Sequence, residues 1–162
     1  MRYLLAVLAV LAMVALGGGD GPDHADAAFV GFPDVKSRPI SGPSPPARAL
    51  QPFTVWYSAQ NIGSGKALGT KLTITPISDP NVMMTAVMTN PPRPWSINGM
   101  GQVVVELGDL APGGVVLAVG LQYVSAVANQ IGYLTSQTVT CTNEPPANAG
   151  NNSASANIVV NP

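Results

Sequence analysis

Apolar and polar side chains alternate along one part of the chain, and this pattern constrains the fold more than any other feature. Apolar residues occupy every second position in residues 53–59, and a two-residue period returns in residues 68–75. Such a period places neighbouring side chains on opposite faces of an extended chain, so each stretch predicts a strand with one buried face. Residues 61–65, Asn-Ile-Gly-Ser-Gly, supply turn chemistry between them. The pattern therefore predicts two consecutive β-strands.

Five further stretches have the composition of strands and are divided by connections rich in Pro, Gly and Asn. They are residues 82–88, 102–108, 115–124, 134–142 and 153–160. Hydrophobic residues make up 46% of the sequence and charged residues only 9%, which favours one folded domain over a disordered chain. Helical periodicity is absent after the N-terminal segment. We therefore predict an all-β, immunoglobulin-like two-sheet β-sandwich of about seven strands.

The N-terminal residues have the parts of a secretory signal. Arg2 provides a positive charge, residues 3–16 are an apolar run too short to span a membrane comfortably, and residues 25–27 (Ala-Asp-Ala) fit a small-x-small cleavage site. We predict a signal peptide at residues 1–27 and a mature protein that is secreted or displayed at the cell surface. The alternative is an uncleaved segment that anchors the protein in a membrane.

A proline-rich segment follows the predicted cleavage site. Residues 28–52 contain six prolines and include Ser-Gly-Pro-Ser-Pro-Pro at 41–46. Proline lacks a backbone donor and fixes φ, so this segment predicts an extended linker or arm rather than a central strand. Residues 53–162 then form the predicted sandwich.

Residue types that carry catalysis are scarce in the predicted mature chain. The one histidine, His24, lies in the predicted signal peptide, which argues against histidine-based catalysis and most zinc sites. Glu106 and Asp109 could form a carboxylate pair, but the strand pattern places them at a solvated edge. The formal net charge is −1 without a basic or acidic run, which argues against a nucleic-acid partner. We predict a protein that is not an enzyme, with no cofactor and no catalytic or metal-binding residue.

Cys141 is the only cysteine, so the chain can form no internal disulfide. Val139 shares its predicted strand face, and no histidine is near in sequence, which favours a small buried side chain at this position. An intermolecular bridge or a reactive thiol is the alternative.

Three segments of the chain occur in a recognisable order. They are YSAQNIG at 57–63, ELGDLAPGG at 106–114 and NAGNNSASANIVV at 148–160. Together they resemble the DUF11 repeat domain, an immunoglobulin-like module of prokaryotic surface proteins, and next to it the CARDB adhesion-type module. A Gly-x-Leu-x-x-Gly element and a double Asn before the last strand carry the resemblance, whereas residues 89–101 depart from it. The resemblance implies a structural or adhesive module that contacts other surface proteins.

Three side chains are candidate surface contacts because aromatic and arginine residues are enriched in binding hot spots. Trp56 points away from the apolar face of its strand, so it is either exposed or covered by the proline-rich arm. Trp95 lies in a loop whose prolines would hold it near Arg93, and that loop either presents the ring or folds back over the sandwich.

Three functions remain open at the level of the sequence. The first is a structural or adhesive module that acts through protein–protein contacts. The second is the subunit of an extracellular fibre, in which residues 28–52 or the last strand complete the sheet of a neighbouring copy. The third is a small carbohydrate- or calcium-binding module. Its calcium ligands would be oxygens of Asn143, Glu144, Asn148 and Asn151, although calcium sites usually contain more carboxylates.

Overall fold

Antiparallel strands make up most of the structure. The computed structural model describes residues 31–114 and 117–162, and these residues form nine strands and one short 3₁₀ helix. The strands are β1 (Val35–Ser37), β2 (Pro52–Asn61), β3 (Ala67–Thr75), β4 (Val82–Asn90), β5 (Trp95–Ile97), β6 (Val103–Leu110), β7 (Leu117–Ser125), β8 (Asn129–Thr140) and β9 (Ser153–Val160). The 3₁₀ helix spans Pro146–Asn151. The predicted signal peptide lies outside the described residues.

The strands form two sheets that enclose one core. The four-stranded sheet has the order β1-β2-β7-β4, and the five-stranded sheet has the order β5-β6-β3-β8-β9. Neighbouring strands are antiparallel throughout both sheets. This arrangement confirms the predicted all-β, immunoglobulin-like two-sheet sandwich. In the part of the chain that the structure describes, no helix is long and apolar enough to cross a membrane.

The side chains that alternate in the sequence fill the space between the sheets. Val55 and Tyr57 on β2, with Leu72 and Ile74 on β3, have no exposed surface. Burying one such side chain contributes about 1.5–3 kcal/mol, so the core supplies the main stabilising term. The Tyr57 hydroxyl lies 2.7 Å from Oγ1 of Thr135 on β8, and this hydrogen bond joins the two sheets.

Two strands of three residues, β1 and β5, are additional to the seven that the sequence predicts. β1 lies inside the proline-rich arm and pairs with the last residues of β2 at a sheet edge. β5 lies in the segment that departs from the DUF11 and CARDB patterns, and it pairs with the first residues of β6. Three residues are too few to display a period, and only the partner strand makes them extended.

The proline-rich arm continues along the sandwich after β1. Ser41 forms an isolated bridge with Trp56, and Arg48 forms another with Asn161. The side chain of Ala47 is buried in the core. The described part of the arm is therefore packed against the domain. Pro39, Pro43, Pro45 and Pro46 fall between these contacts, and Pro52 is the first residue of β2, a position that proline tolerates.

Candidate functional site

Trp56 lies on the outer face of the four-stranded sheet, between the arm and β7. Its N–H donates to the Ser41 carbonyl and its own carbonyl accepts from the Ser41 N–H, each over 3.0 Å. On its other side Trp56 is paired in register with Gly120 of β7. Because both backbone groups of Trp56 face Ser41, the pair with Gly120 is a non-hydrogen-bonded one, in which side chains approach most closely.

Gly120 leaves the space that the tryptophan ring occupies. A Cβ atom at position 120 would lie 3.0 Å from Cζ3 of Trp56 and 3.1 Å from Cε of Met88. The ring and the methionine methyl therefore both lie over the glycine, from the strands on either side. The Trp56 side chain still keeps 41% of its surface exposed.

Further apolar side chains share this outer face. Strand register aligns Pro52 and Met83 with Val124 between them, on the same side of the sheet as Trp56 and Met88. A solvated sheet face normally carries polar side chains, so this composition is unusual. We call this surface the Trp56 face and define it by Pro52, Trp56, Met83, Met88 and Val124.

A groove of about 290 Å³ runs beside Trp56, between β2 and the proline-rich arm. Its wall on one side is Trp56 and Thr54, and on the other side the chain from Pro43 to Arg48. Gln51 adds a further polar side chain. The two alternatives predicted for Trp56 thus occur together, because the arm packs beside the ring and leaves it partly exposed.

Trp95 and Arg93 lie in a different part of the molecule. Trp95 begins β5 and is opposite the buried Val105, so it lies on the inner side of the five-stranded sheet at its edge, where it is 47% exposed. Arg93 is half-buried, its backbone N–H donates to Oγ1 of Thr89, and its guanidinium lies next to Gly108. The structure therefore places the predicted contacts Trp56 and Trp95 on different sheets, and they do not form one site.

The carboxylates that could have formed a catalytic pair are each bound to a lysine. Glu106 lies 2.9 Å from Lys71, and Asp109 lies 2.9 Å from Lys66. The Gly69 N–H and Lys66 lower the pKa of Asp109, which keeps it ionised. A general acid requires a raised pKa, so this arrangement does not favour acid catalysis.

Cys141 directly follows β8 and is half-buried against the core. Burial raises the pKa of its thiol. The thiolate is the reactive form of cysteine, so this environment disfavours the reactive-thiol alternative.

Two of the four predicted calcium ligands belong to one cluster, a third binds the residue beside that cluster, and the fourth lies elsewhere. Asn143 accepts from the Leu68 N–H and donates to the Lys66 carbonyl, both over 2.9 Å, so it connects to the turn before β3. Asn148 donates to the Pro33 carbonyl over 3.0 Å. The remaining two, Glu144 and Asn151, belong to one cluster of polar side chains.

The other members of that cluster are Asp34 and Asn152. Nδ2 of Asn151 donates to Oδ1 of Asp34 over 2.9 Å, and Nδ2 of Asn152 donates to Oε2 of Glu144 over 2.6 Å. Glu144 also accepts from the N–H of Val35, the residue after Asp34. Asp34 was not predictable as a member, because it lies in the arm, more than a hundred positions from its partners, and no local sequence pattern connects them. We call these four side chains the Asp34–Glu144 cluster.

Comparisons with known proteins give similarities of fold. No family model matches the sequence, and no curated protein matches it. Solved structures similar to this chain include the CARDB domain of a Pyrococcus furiosus protein in solution, at 15% identity and a TM-score of 0.49, over 80% of this chain and 96% of that one. The same domain in a crystal with di-metal ions matches at 16% identity and a TM-score of 0.49, over 80% of this chain and 94% of that one. A cohesin module of a Clostridium perfringens family 33 glycoside hydrolase matches at 11% identity and a TM-score of 0.49, over 82% of this chain and 97% of that one. CARDB is one of the two module types that the sequence resembles.

Proposed function

We propose that this chain is a non-catalytic, exported surface module that binds another protein through the Trp56 face. The observation that carries the proposal is the outward-facing pair of Trp56 and Met88 over Gly120, on a sheet face that should be polar. Neither side chain belongs to the core, so the fold does not require an apolar surface here. An apolar patch that the fold does not require is typical of an interaction site.

The chemistry of the Trp56 face fits a protein partner. Tryptophan is among the residues most enriched in binding hot spots, and methionine adapts its shape to a partner. Thr54 and Gln122 form a polar row between the two apolar rows of the face, so hydrogen-bonding groups lie among the apolar side chains. Protein–protein interfaces combine apolar anchors with direct hydrogen bonds, and this mixture of side chains can supply both.

The fibre alternative receives less support from the arrangement of the strands. Both segments that could be donated to a neighbour are already paired within their own chain, β1 with β2 and β9 with β8. Donation would first require these ladders to break. This cost favours contact through the Trp56 face over strand addition by either segment.

A carbohydrate is the second candidate partner, because the groove beside Trp56 combines an aromatic ring with polar side chains. Arg48, Gln51 and Thr54 line the groove with the ring. A sugar can stack on such a ring while its hydroxyl groups bind the polar side chains. Screening the purified protein against a glycan array tests this candidate directly, and a Trp56→Ala variant should lose any signal that depends on the groove.

Site-specific photo-crosslinking in the source cells tests the leading proposal. A photoreactive amino acid at Met83, on the Trp56 face, is compared with one at Leu134, on the outer face of the other sheet. The two positions are matched, with exposures of 64% and 67%. We expect a discrete protein adduct from position 83 that disappears when Trp56→Ala is added, and none from position 134. Equal labelling at both positions, or none at either, would contradict a protein-binding role for this face.

Export requires its own measurement. The N-terminal sequence of the protein from the culture medium or the cell surface should begin near Ala28. A full-length chain found only inside the cell would overturn the exported part of the proposal.

A further inference from the structure

The Asp34–Glu144 cluster brings together two carboxylates from distant parts of the chain. Asp34 lies just before β1 and Glu144 lies in the connection from β8 to β9. Both are half-buried, and Glu144 accepts the N–H of Val35, the residue after Asp34, over 2.8 Å, so both side chains lie at the start of β1. Like charges in a partly desolvated setting repel one another unless a cation or donors compensate them.

The compensation that the described residues provide is incomplete. The ion pairs among residues 31–114 and 117–162 are Lys66 with Asp109 and Lys71 with Glu106. No lysine or arginine of this part of the chain lies within 4.0 Å of Asp34 or Glu144. Neutral amide donors are therefore the side chains that bind the two carboxylates.

The two amides leave oxygen atoms without partners inside the protein. Asn152 is only 6% exposed, and its Oδ1 is buried without a hydrogen bond among the described residues. The Nδ2 end of this amide contacts Glu144, and Oδ1 is its other end. Oδ1 of the neighbouring Asn151 is also buried and without a partner. A buried carbonyl oxygen of this kind is rare in native proteins unless water or an ion completes it.

Rotation of each amide by 180° would exchange its two ends. Both Oδ1 atoms would then face the carboxylates, which is unfavourable unless a cation lies between them. With a cation present, the rotated Oδ1 atoms would face it together with the carboxylates, and each Nδ2 would then need a water partner at the position that Oδ1 occupies now. The cluster therefore has the composition of a cation site that the hydrogen-bonded arrangement completes only in part.

We propose that the Asp34–Glu144 cluster binds a calcium ion through the carboxylates of Asp34 and Glu144 and the amide oxygens of Asn151 and Asn152. Calcium accepts carboxylate and amide oxygens in flexible geometry, with water or backbone carbonyls completing the shell. Magnesium demands a stricter octahedron and retains more of its water. Zinc favours nitrogen and sulfur ligands, which these four side chains lack.

Binding would connect three segments of the chain. Asp34 would attach the start of the arm, Glu144 the segment after β8, and Asn151 with Asn152 the start of β9. The ion would thus hold β1 at its sheet edge, so calcium should stabilise the folded protein and not merely adhere to it.

Calorimetric titration of the chelator-treated, full mature protein with calcium chloride tests this proposal. We expect one saturable site with a Kd of about 10⁻⁴–10⁻³ M, the range of extracellular calcium modules. A rise in melting temperature should accompany binding, and magnesium chloride at the same concentration should not reproduce it. Absence of both heat and melting shift at about ten times that concentration range would overturn the proposal.

Charge-removing variants of equal size locate the ion. Glu144→Gln and Asp34→Asn should each weaken calcium binding at least tenfold, while their melting temperatures in chelator show that they remain folded. Glu106→Gln removes a carboxylate that Lys71 already pairs and serves as the matched control, with unchanged affinity. Equal affinity in all four proteins would assign the heat to non-specific binding.

Asn151→Asp separates a calcium site from a purely structural network. The added carboxylate should repel Asp34 and lower the melting temperature in chelator, and it should raise calcium affinity by supplying a third charged ligand. Calcium should then restore the lost stability. A variant that is destabilised and that calcium does not rescue would show that Asn151 only donates a hydrogen bond to Asp34.

Discussion

At the scale of single residues, Gly120 determines what the four-stranded sheet presents to its surroundings. Its missing side chain makes room for the Trp56 ring and the Met88 methyl group. A polar residue at position 120 would place a hydrophilic side chain where these two groups now lie. The apolar character of the Trp56 face thus depends on a residue that contributes no apolar surface itself.

Gly120→Ala should move the Trp56 ring without unfolding the protein. The new Cβ would lie 3.0 Å from the ring, closer than carbon atoms tolerate, and the partly exposed ring can move outward. In a Trp95→Phe background Trp56 is the only tryptophan, so the fluorescence reports on its ring alone. Because the displaced ring is more exposed to water, its emission should shift to longer wavelength. Gly99→Ala, where no atom of the described residues lies within 4 Å of the added Cβ, is the control and should leave the spectrum unchanged. Identical spectra for both variants would show that the ring does not rest on Gly120.

Two buried tyrosines should make the protein sensitive to alkaline pH. Burial raises the pKa of Tyr57, and burial and the neighbouring Tyr57 raise the pKa of Tyr123. In the unfolded chain both hydroxyls ionise near pH 10, whereas in the folded chain they keep their protons. The contribution of these raised pKa values to the unfolding free energy is therefore complete below pH 10. It is lost as pH rises from 10 toward the folded pKa values. Each tyrosine should lower the unfolding free energy by about 1.4 kcal/mol per pH unit in that range.

Urea unfolding measured from pH 9 to pH 11.5 checks this alkaline slope. Tyr57→Phe removes one of the two groups and should reduce the slope by about half. A slope that is the same in the variant would mean that Tyr57 does not take part in the alkaline loss of stability.

At the scale of elements, the end of β2 is held by Asn61. Its buried amide donates to the carbonyls of Gly65 and Leu110, and its Oδ1 accepts from the N–H groups of Asp34 and Gly63. One side chain therefore joins the arm, the turn after β2 and the end of β6. The sequence predicts a turn at Asn61, which agrees with its hydrogen bond to Gly63, whereas its bonds to Asp34 and Leu110 reach segments far away in sequence.

Asn61→Ala should destabilise the fold because it leaves several buried backbone groups without partners. Each such group costs about 1–3 kcal/mol, so the unfolding free energy should fall by at least that amount. Gln60→Ala, at the neighbouring outward-facing position, is the control and should cost less. Chemical denaturation of the two variants measures the difference, and equal losses would contradict the role of Asn61 as a connecting residue.

The long strands were predictable from the sequence, and the short ones were not. β2 displays a two-residue period over its ten residues and β3 over residues 70–75, because one face of each strand meets the core. At the start of β3 an irregularity in the register breaks the period, and Leu68, which the period places on the buried face, is exposed. β1 and β5 contain three residues each and owe their extended shape to a partner strand far away in sequence. The same difference between local period and distant partners explains which site residues were predictable. The outward orientation of Trp56 follows from its place in the period, whereas Gly120, Met88 and Asp34 reach their partners only through the register of the folded sheets.

At the scale of the whole molecule, the arm protects one edge of the sandwich. An exposed strand edge is a template for pairing with another chain, and folded proteins usually cover such edges or interrupt them. β1 covers the end of β2, and Ser41 covers Trp56. The proline-rich arm thus converts the ten-residue β2 from an edge strand into an inner one.

Removal of residues up to 50 should therefore change how the mature protein associates. With the arm present, light scattering on a sizing column should give a compact monomer, because β1 and β9 are both paired within the chain. Without the arm, the edge of β2 is open and the buried Ala47 and Val35 are lost from the core, so dimers or larger assemblies should form. Filaments formed by the intact mature protein would revive the fibre alternative. A truncated chain that stays monomeric with an unchanged melting temperature would instead show that the sandwich does not depend on the arm. Forming one wall of the groove beside Trp56 would then be the remaining role of the arm.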